Sequence, residues 1–272
     1  MCVPGCHEAM ARHFSRRGFF RAAGMVTAGA AVASSMPASV LSQSASFSKV
    51  IDLTHTLTPD FPTYFGPPQL EIETVKTFEK DHFLVYKWHL VEHTGTHMDA
   101  PHHFSPEGLS ADKLDPSVLV VPLAVIDVKE KAAADPDYQL SRADIEAFEQ
   151  ANGALPENCC VAMNSGWAQF MGTEKFRNAA ADGSMHFPGF HPDATNLLLE
   201  RNVAGIAVDT LSLDFGASAD FAVHFSWLPA GRWGIEAIAN LDAAPAAGAT
   251  LVVGSPKVAG ATGGPSRVFA LA

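Results

Sequence analysis

An α/β fold in a single domain is predicted for residues 47–272, and three observations predict it. Strand-like apolar runs recur along the chain, amphipathic helical stretches alternate with some of them, and about 225 residues can bury a substantial core as one unit. No internal repeat and no low-complexity segment interrupts this stretch.

The first 46 residues read differently. Ser15-Arg16-Arg17-Gly18-Phe19-Phe20-Arg21 is a close twin-arginine pattern, followed by a mild Ala/Gly-rich apolar run from Ala22 to Ala33 and then by small residues and a proline. That run is shorter than the roughly 18 to 20 residues a membrane-spanning helix needs. Residues 1–46 are therefore expected to be a twin-arginine export signal with a short spacer, cleaved between Ala38 and Ser46. This predicts a periplasmic protein, the twin-arginine export machinery as a partner, and no membrane span in the mature form. The whole chain carries a net charge of −11, and loss of the signal leaves 14 basic against 28 acidic residues, or −14. Such an acidic surface disfavours nucleic acid and anionic membranes.

Within the domain, Val85, Lys87, His89, Val91 and His93 alternate with Tyr86, Trp88, Leu90 and Glu92, the period of a strand. Further strand-like runs lie at Leu119 to Val128, Val203 to Val208, Leu251 to Val253 and Val268 to Leu271. Ser141 can cap a helix through Glu149, with Asp144 favourable in its first turn and Ile145 and Phe148 on one face. Asp193 can start a helix carrying Leu197 to Leu199, stopped before Gly205. Ala219 to Leu228 is expected to be a short helix bearing His224. Cys159 and Cys160 open an apolar strand ending at Met163, so they point to opposite faces as buried thiols. The Gly260 to Gly264 turn lacks a phosphate-loop pattern and reads as a hairpin between the final strands.

One segment carries chemistry. His93-Thr94-Gly95-Thr96-His97-Met98-Asp99-Ala100-Pro101-His102-His103 places four histidines and an aspartate in eleven residues. Imidazoles with a carboxylate suit zinc, manganese or iron, whereas calcium and magnesium prefer oxygen shells. The intervening glycine and proline argue against a helix, and a strand running into a loop lets His93, His97 and Asp99 converge. Three protein ligands leave positions for water and substrate, which points to a hydrolase.

The segment matches the HxGTHxDxPxH signature in full, and the chain resembles the cyclase family of metal-dependent formamidases, isatin hydrolases and polyketide cyclases. Asp52-Leu53-Thr54-His55 with Pro62, the stretch Gly205 to Asp214, His224 and Glu236 to Leu241 extend the resemblance over roughly residues 49 to 272. It implies the swivelling β/β/α architecture and first-metal ligands at His93, His97 and Asp99, with His103 as the acid/base. In the two-metal members Asp99 bridges to a second ion held at the positions of His224 and Glu236. One or two ions per chain, Zn2+ or Mn2+, are thus expected, in a homo-oligomer. His102 has no assigned role. The substrate loop departs from the formylkynurenine formamidases, which typically carry a tryptophan and then Pro-Gly-Asp where this chain reads Pro62-Thr63-Tyr64-Phe65-Gly66-Pro67. The aromatic wall survives as Tyr64 or Phe65, so a flat aromatic or cyclic substrate is expected.

The expected reaction is attack of metal-activated water on an amide, formamide, cyclic amide or lactone carbonyl of a small substrate, His103 passing the proton to the leaving group. Two other classes share the ligand set: a mononuclear iron oxygenase with a two-histidine, one-carboxylate triad, and a periplasmic metal- or ligand-binding protein without catalysis.

Overall fold

The computed structural model describes residues 47–272, which form one compact unit; the export-signal reading falls on residues 1–46, outside the described residues. In chain order the strands are β1 (Val50–Asp52), β2 (Leu70–Lys76), β3 (Val85–Leu90), β4 (His97–Asp99), β5 (Val120–Asp127), β6 (Gln139–Leu140), β7 (Cys160–Asn164), β8 (Gly189–Phe190), β9 (Gly205–Val208), β10 (Trp233–Glu236), β11 (Ala249–Gly254), β12 (Gly263–Pro265) and β13 (Arg267–Leu271). The helices are α1 (Phe78–Asp81), α2 (Lys129–Ala134), α3 (Arg142–Asn152), α4 (Pro192–Glu200) and α5 (Ala222–Trp227).

Nine strands make one mixed sheet in the order β1-β13-β11-β5-β7-β9-β10-β4-β12. Strands β5, β7, β9 and β10 run parallel, and the remaining pairings are antiparallel. Parallel neighbours need crossovers, which the chain supplies between β5 and β7 with α2 and α3 and between β9 and β10 with α5. Alternation along the strands sends two sets of side chains to opposite faces. Val161, Met163, Ile206 and Val208 pack under helical residues Ile145, Phe148, Leu197, Leu198, Val223 and Trp227. On the other face Leu53, Met98, Val125, Cys160, Ile235, Leu251 and Val268 meet in a second cluster. Strands far apart in the sheet order share that cluster because the sheet curls, and a Thr54–Ile238 bridge ties the segment after β1 to the segment after β10. A curled sheet with helices on its outer face is the β/β/α layering expected from the sequence.

Helix α3 begins as its sequence dictates. Ser141 accepts from the Asp144 N–H and the Asp144 carboxylate accepts from the Ser141 N–H, a reciprocal cap worth about 1 kcal/mol. Helix α4 begins one residue before the expected Asp193. Pro192 occupies its first turn, and the His191 ring accepts from the Asp193 N–H. Cys159 and Cys160 lie in the two opposite core clusters, both free and buried. Burial pushes the Cys159 thiol up to about 12, so it has little thiolate at neutral pH.

Two local expectations change. His97-Met98-Asp99 is not loop but strand β4, held on both sides by β10 and β12; three residues are too few for a periodicity signal, and only the partners make them a strand. The Gly260 to Gly264 region is not a tight hairpin. Strands β11 and β13 do pair, but the chain between them detours through β12, which binds β4. Among the described residues, no helix is long and apolar enough to cross a membrane.

Candidate metal centre

Strand pairing builds the centre. In the antiparallel β4–β10 register His97 stands opposite Glu236, and Asp99 stands opposite Gly234. Alternation then points His97 and Asp99 to one face while Met98 enters the core on the other. Gly95 turns the chain into β4 at φ +73°, a left-handed backbone that favours glycine. Helix α5 brings His224, and one tight turn at Pro101–His103 brings His103.

Three rings are held by their outer nitrogens. His97 Nδ1 donates to the Gly95 carbonyl at 2.9 Å, and His224 Nδ1 donates to Asp214 Oδ2 at 2.6 Å. Thr262 Oγ1 gives its proton to Glu92 Oε2 at 2.5 Å and so accepts from His93 Nε2 at 2.9 Å. The inner nitrogens all face carboxylates. His93 Nδ1 is 2.7 Å from Asp99 Oδ1, and His97 Nε2 is 3.3 Å from the same oxygen and 3.4 Å from Glu236 Oε2. His224 Nε2 is 3.2 Å from Glu236 Oε1 and 3.6 Å from Asp99 Oδ2. Lone pairs facing carboxylate oxygens repel unless a cation lies between them. His97 Nε2 and Asp99 Oδ2 are buried with no hydrogen-bond partner, the signature of groups that await an ion.

Two donor groups emerge, His97–Asp99–Glu236 and His93–Asp99–His103, each with its donor atoms within 4.8 Å of one another. They share Asp99. The grouping differs from the expected ligand sets, since His103 joins His93 and Asp99 while His97 joins Glu236, and His224 belongs to neither group although its Nε2 lies 3.2 Å from Glu236 and 3.6 Å from Asp99. The His103 ring stacks on His93 at 3.8 Å between centroids and meets Phe104 edge-on at 4.7 Å. Burial is the chief reason its pKa falls to about 4, so His103 is neutral at pH 7.

The metal-free charge balance makes a testable statement. Burial opposes charge on His97, but Asp99 and Glu236 outweigh it and raise its pKa from 6.5 to about 9. Burial likewise opposes charge on His224 and on Asp99. Asp214, Asp99 and Glu236 nevertheless hold His224 well above its usual range, and His224, His93 and His97 hold Asp99 well below its own. The raised His97 value adds stability that is complete below 6.5 and lost as pH rises through about 9; the lowered Asp99 value adds stability that is lost only in acid. Metal-free protein is therefore expected to melt at progressively lower temperature from pH 6.5 to 9, while metal binding, which must displace those protons, strengthens over the same interval. Thermal melts with and without chelator across that range check both signs.

Sequence reasoning left several supporting residues without a role. Thr262 and Glu92 select the His93 tautomer, and Asp214 both orients His224 and accepts from the Val223 and His224 N–H groups at the start of α5. Nothing local marks Thr262, which lies 169 positions from His93. Thr262→Val is expected to weaken metal affinity about 10- to 100-fold with the fold intact, measured by metal titration.

Above the centre lies a pocket of about 170 Å3 walled by Tyr64, Phe65, Phe104, Leu211 and Phe221, with His93, His97, His103, His224 and Glu236 on its lining. Both predicted substrate residues are on it, whereas His102 is not. Arg177, unremarked in the sequence, secures this wall by donating to the Thr63 and Tyr64 carbonyls at 2.9 and 3.2 Å. Asp209 fixes the adjoining layer by accepting from the Ser165 and Trp167 N–H groups. Burial raises its pKa to about 6.

A family model described as "Putative cyclase" matches residues 51–215. The isatin hydrolase of Roseibium aggregatum is 34% identical over 242 residues, covering 82% of this chain and 91% of that protein. The kynurenine formamidase of Bacillus anthracis is 27% identical over 184 residues, covering 65% of this chain and 76% of that one. Among solved structures, an isatin hydrolase bound to the product analogue thioisatinate superposes with a TM-score of 0.77 at 32% identity, covering 82% of this chain and 92% of that one.

Proposed function

The chain belongs to the cyclase family, and from that premise we propose that it opens a small cyclic amide of an aromatic compound. It is a metal-dependent hydrolase acting on amide carbon–nitrogen bonds. The observation that carries the finer reading is the pocket, whose aromatic walls at Tyr64, Phe65, Phe104 and Phe221 stand over the histidine–carboxylate nest. The higher identity to an isatin hydrolase than to a kynurenine formamidase supports a cyclic over an open-chain amide.

His93, His97, Asp99, His224 and Glu236 hold one or two ions, zinc or manganese by donor chemistry. When bound, such an ion polarises a carbonyl and acidifies water. This chain's residues do the rest. Tyr64 and Phe65, set edge to face at 6.0 Å between ring centroids, form one aromatic wall against which the flat ring packs. His103, neutral at pH 7, takes a proton at a ring nitrogen as the water oxygen bonds to the carbonyl carbon. The carbon–nitrogen bond then breaks, and His103 returns the proton to the departing nitrogen, leaving an amine and a carboxylic acid in one molecule, and the acid gives up its remaining proton to solvent as a carboxylate.

A panel of isatin, formyl anilides and aromatic lactones with metal-reconstituted protein tests this. Isatin is expected to give the highest kcat/KM; preference for a formyl anilide overturns the cyclic-amide reading. The twin-arginine stretch at Ser15 to Arg21 supports export to the periplasm. Arg16→Lys with Arg17→Lys is expected to retain the protein in the cytoplasm, and unchanged fractionation overturns that reading.

A further inference from the structure

Tyr64 and Phe65 are the two central residues of a tight turn, closed by the Gly66 N–H donating to the Thr63 carbonyl at 3.2 Å. Gly66 takes φ +95°, a left-handed backbone that favours glycine. Packing does little for the tip, since Phe65 is 59% exposed. What grips it comes from 114 positions away. Arg177 Nε donates to the Thr63 carbonyl at 2.9 Å and Nη2 to the Tyr64 carbonyl at 3.2 Å, so one planar guanidinium holds two consecutive peptide units of the turn. Nη2 also lies 3.6 Å from Met185 Sδ. Among the described residues no carboxylate forms an ion pair with Arg177, and its charge is spent on the turn.

The root of this strut is fixed. Asp209, directly after β9, accepts from the Trp167 N–H at 2.8 Å, and Trp167 Nε1 donates to the Phe176 carbonyl at 2.9 Å. Phe176 is fully buried next to Arg177, and on the other side the Asn178 N–H donates to the Glu174 carbonyl at 3.0 Å. The aromatic wall is thereby hung from the central sheet through Asp209, Trp167, Phe176 and Arg177. We propose that Arg177 is the positioning residue that sets selectivity for a ring-bearing substrate, by holding Tyr64 and Phe65 where they pack a flat ring over the metal centre. Arg177 is not on the pocket lining and acts only through the turn. The inference rests on the reading of Tyr64 and Phe65 as the substrate wall. Packing of the ring is the same before and during bond breaking, so loss of the strut raises KM and leaves kcat nearly alone. A lysine keeps the charge but lacks the fork that meets two carbonyls together.

Kinetics and hydrogen exchange on the metal-loaded protein test the proposal. Arg177→Ala is expected to raise KM about 10-fold or more for whichever of isatin, a formyl anilide or an aromatic lactone the wild type turns over best, with kcat changed less than about 3-fold and metal content unchanged. Arg177→Lys is expected to fall between. Without substrate, the Gly66 amide is expected to exchange about 10-fold faster or more in Arg177→Ala. Millimolar guanidinium chloride, but not ammonium chloride, is expected to restore both the slow exchange and the wild-type KM. An Arg177→Ala protein with wild-type KM, one that loses kcat with KM unchanged, or one with unchanged Gly66 exchange overturns the inference. If Arg177→Ala fails to fold, Arg177→Lys decides by the same two readings. Preference of the wild type for a formyl anilide overturns the cyclic-amide reading alone, since the KM shift is read on the preferred substrate. A wild type inert to all three overturns both.

Discussion

Asp99→Ala is expected to fold, to retain less than one ion per chain and to lose turnover by about 10⁴-fold or more. No other side chain in the centre faces all three inner nitrogens: Oδ1 meets His93 at 2.7 Å and His97 at 3.3 Å, and Oδ2 meets His224 at 3.6 Å. Removing it breaks both candidate donor groups at once. Its loss should exceed the 10- to 100-fold drop in affinity typical of a missing outer-shell partner. The substitution also removes the main support for charge on His97. Burial then prevails, and the His97 titration should fall from about 9 in metal-free protein. Elemental analysis, steady-state rates and imidazole resonances report these three effects. A full complement of metal with wild-type turnover would exclude Asp99 from the ligand set.

His103→Ala is expected to do the opposite on metal and the same on rate. Ion content should be preserved, because His93, His97, Asp99, His224 and Glu236 all remain, while kcat falls about 10²- to 10⁴-fold with little change in KM. The reason is position: His103 lies on the pocket lining, stacked on His93 and backed by Phe104, and it is neutral at pH 7 and so able to accept a proton. Its donor atom also lies within 4.8 Å of those of His93 and Asp99, so metal content is the deciding measurement. If the ion leaves with the imidazole, His103 is a ligand. If turnover is unchanged, it has no part in the reaction.

Much of this was legible in the residues. The strands of the central sheet are continuous runs of Val, Ile, Ala and Cys because they are buried on both faces, and such runs announce themselves. Ser141 with Asp144 announces a helix start because the cap is local. The histidine cluster is legible for the same reason, its members lying within eleven residues of one another. By contrast, β4 is three residues long and has no period of its own, and β12 exists only as its partner. Arg177 and Thr262 look like ordinary polar residues until the fold carries them to Thr63 and His93.

The sequence by itself determined the donor types, the α/β class and the acidic character, since each depends on composition or on neighbours a few positions apart. It also pointed to His224 and Glu236, though only by resemblance. Tertiary structure alone decided that Glu236 stands opposite His97, that Asp99 serves both donor groups, and that Gly95, Thr262 and Asp214 aim the three rings inward. The register and the Thr262 contact, 169 positions from His93, have no local signal in the chain, and even the short-range Gly95–His97 and Asp214–His224 contacts depend on how the chain turns around them.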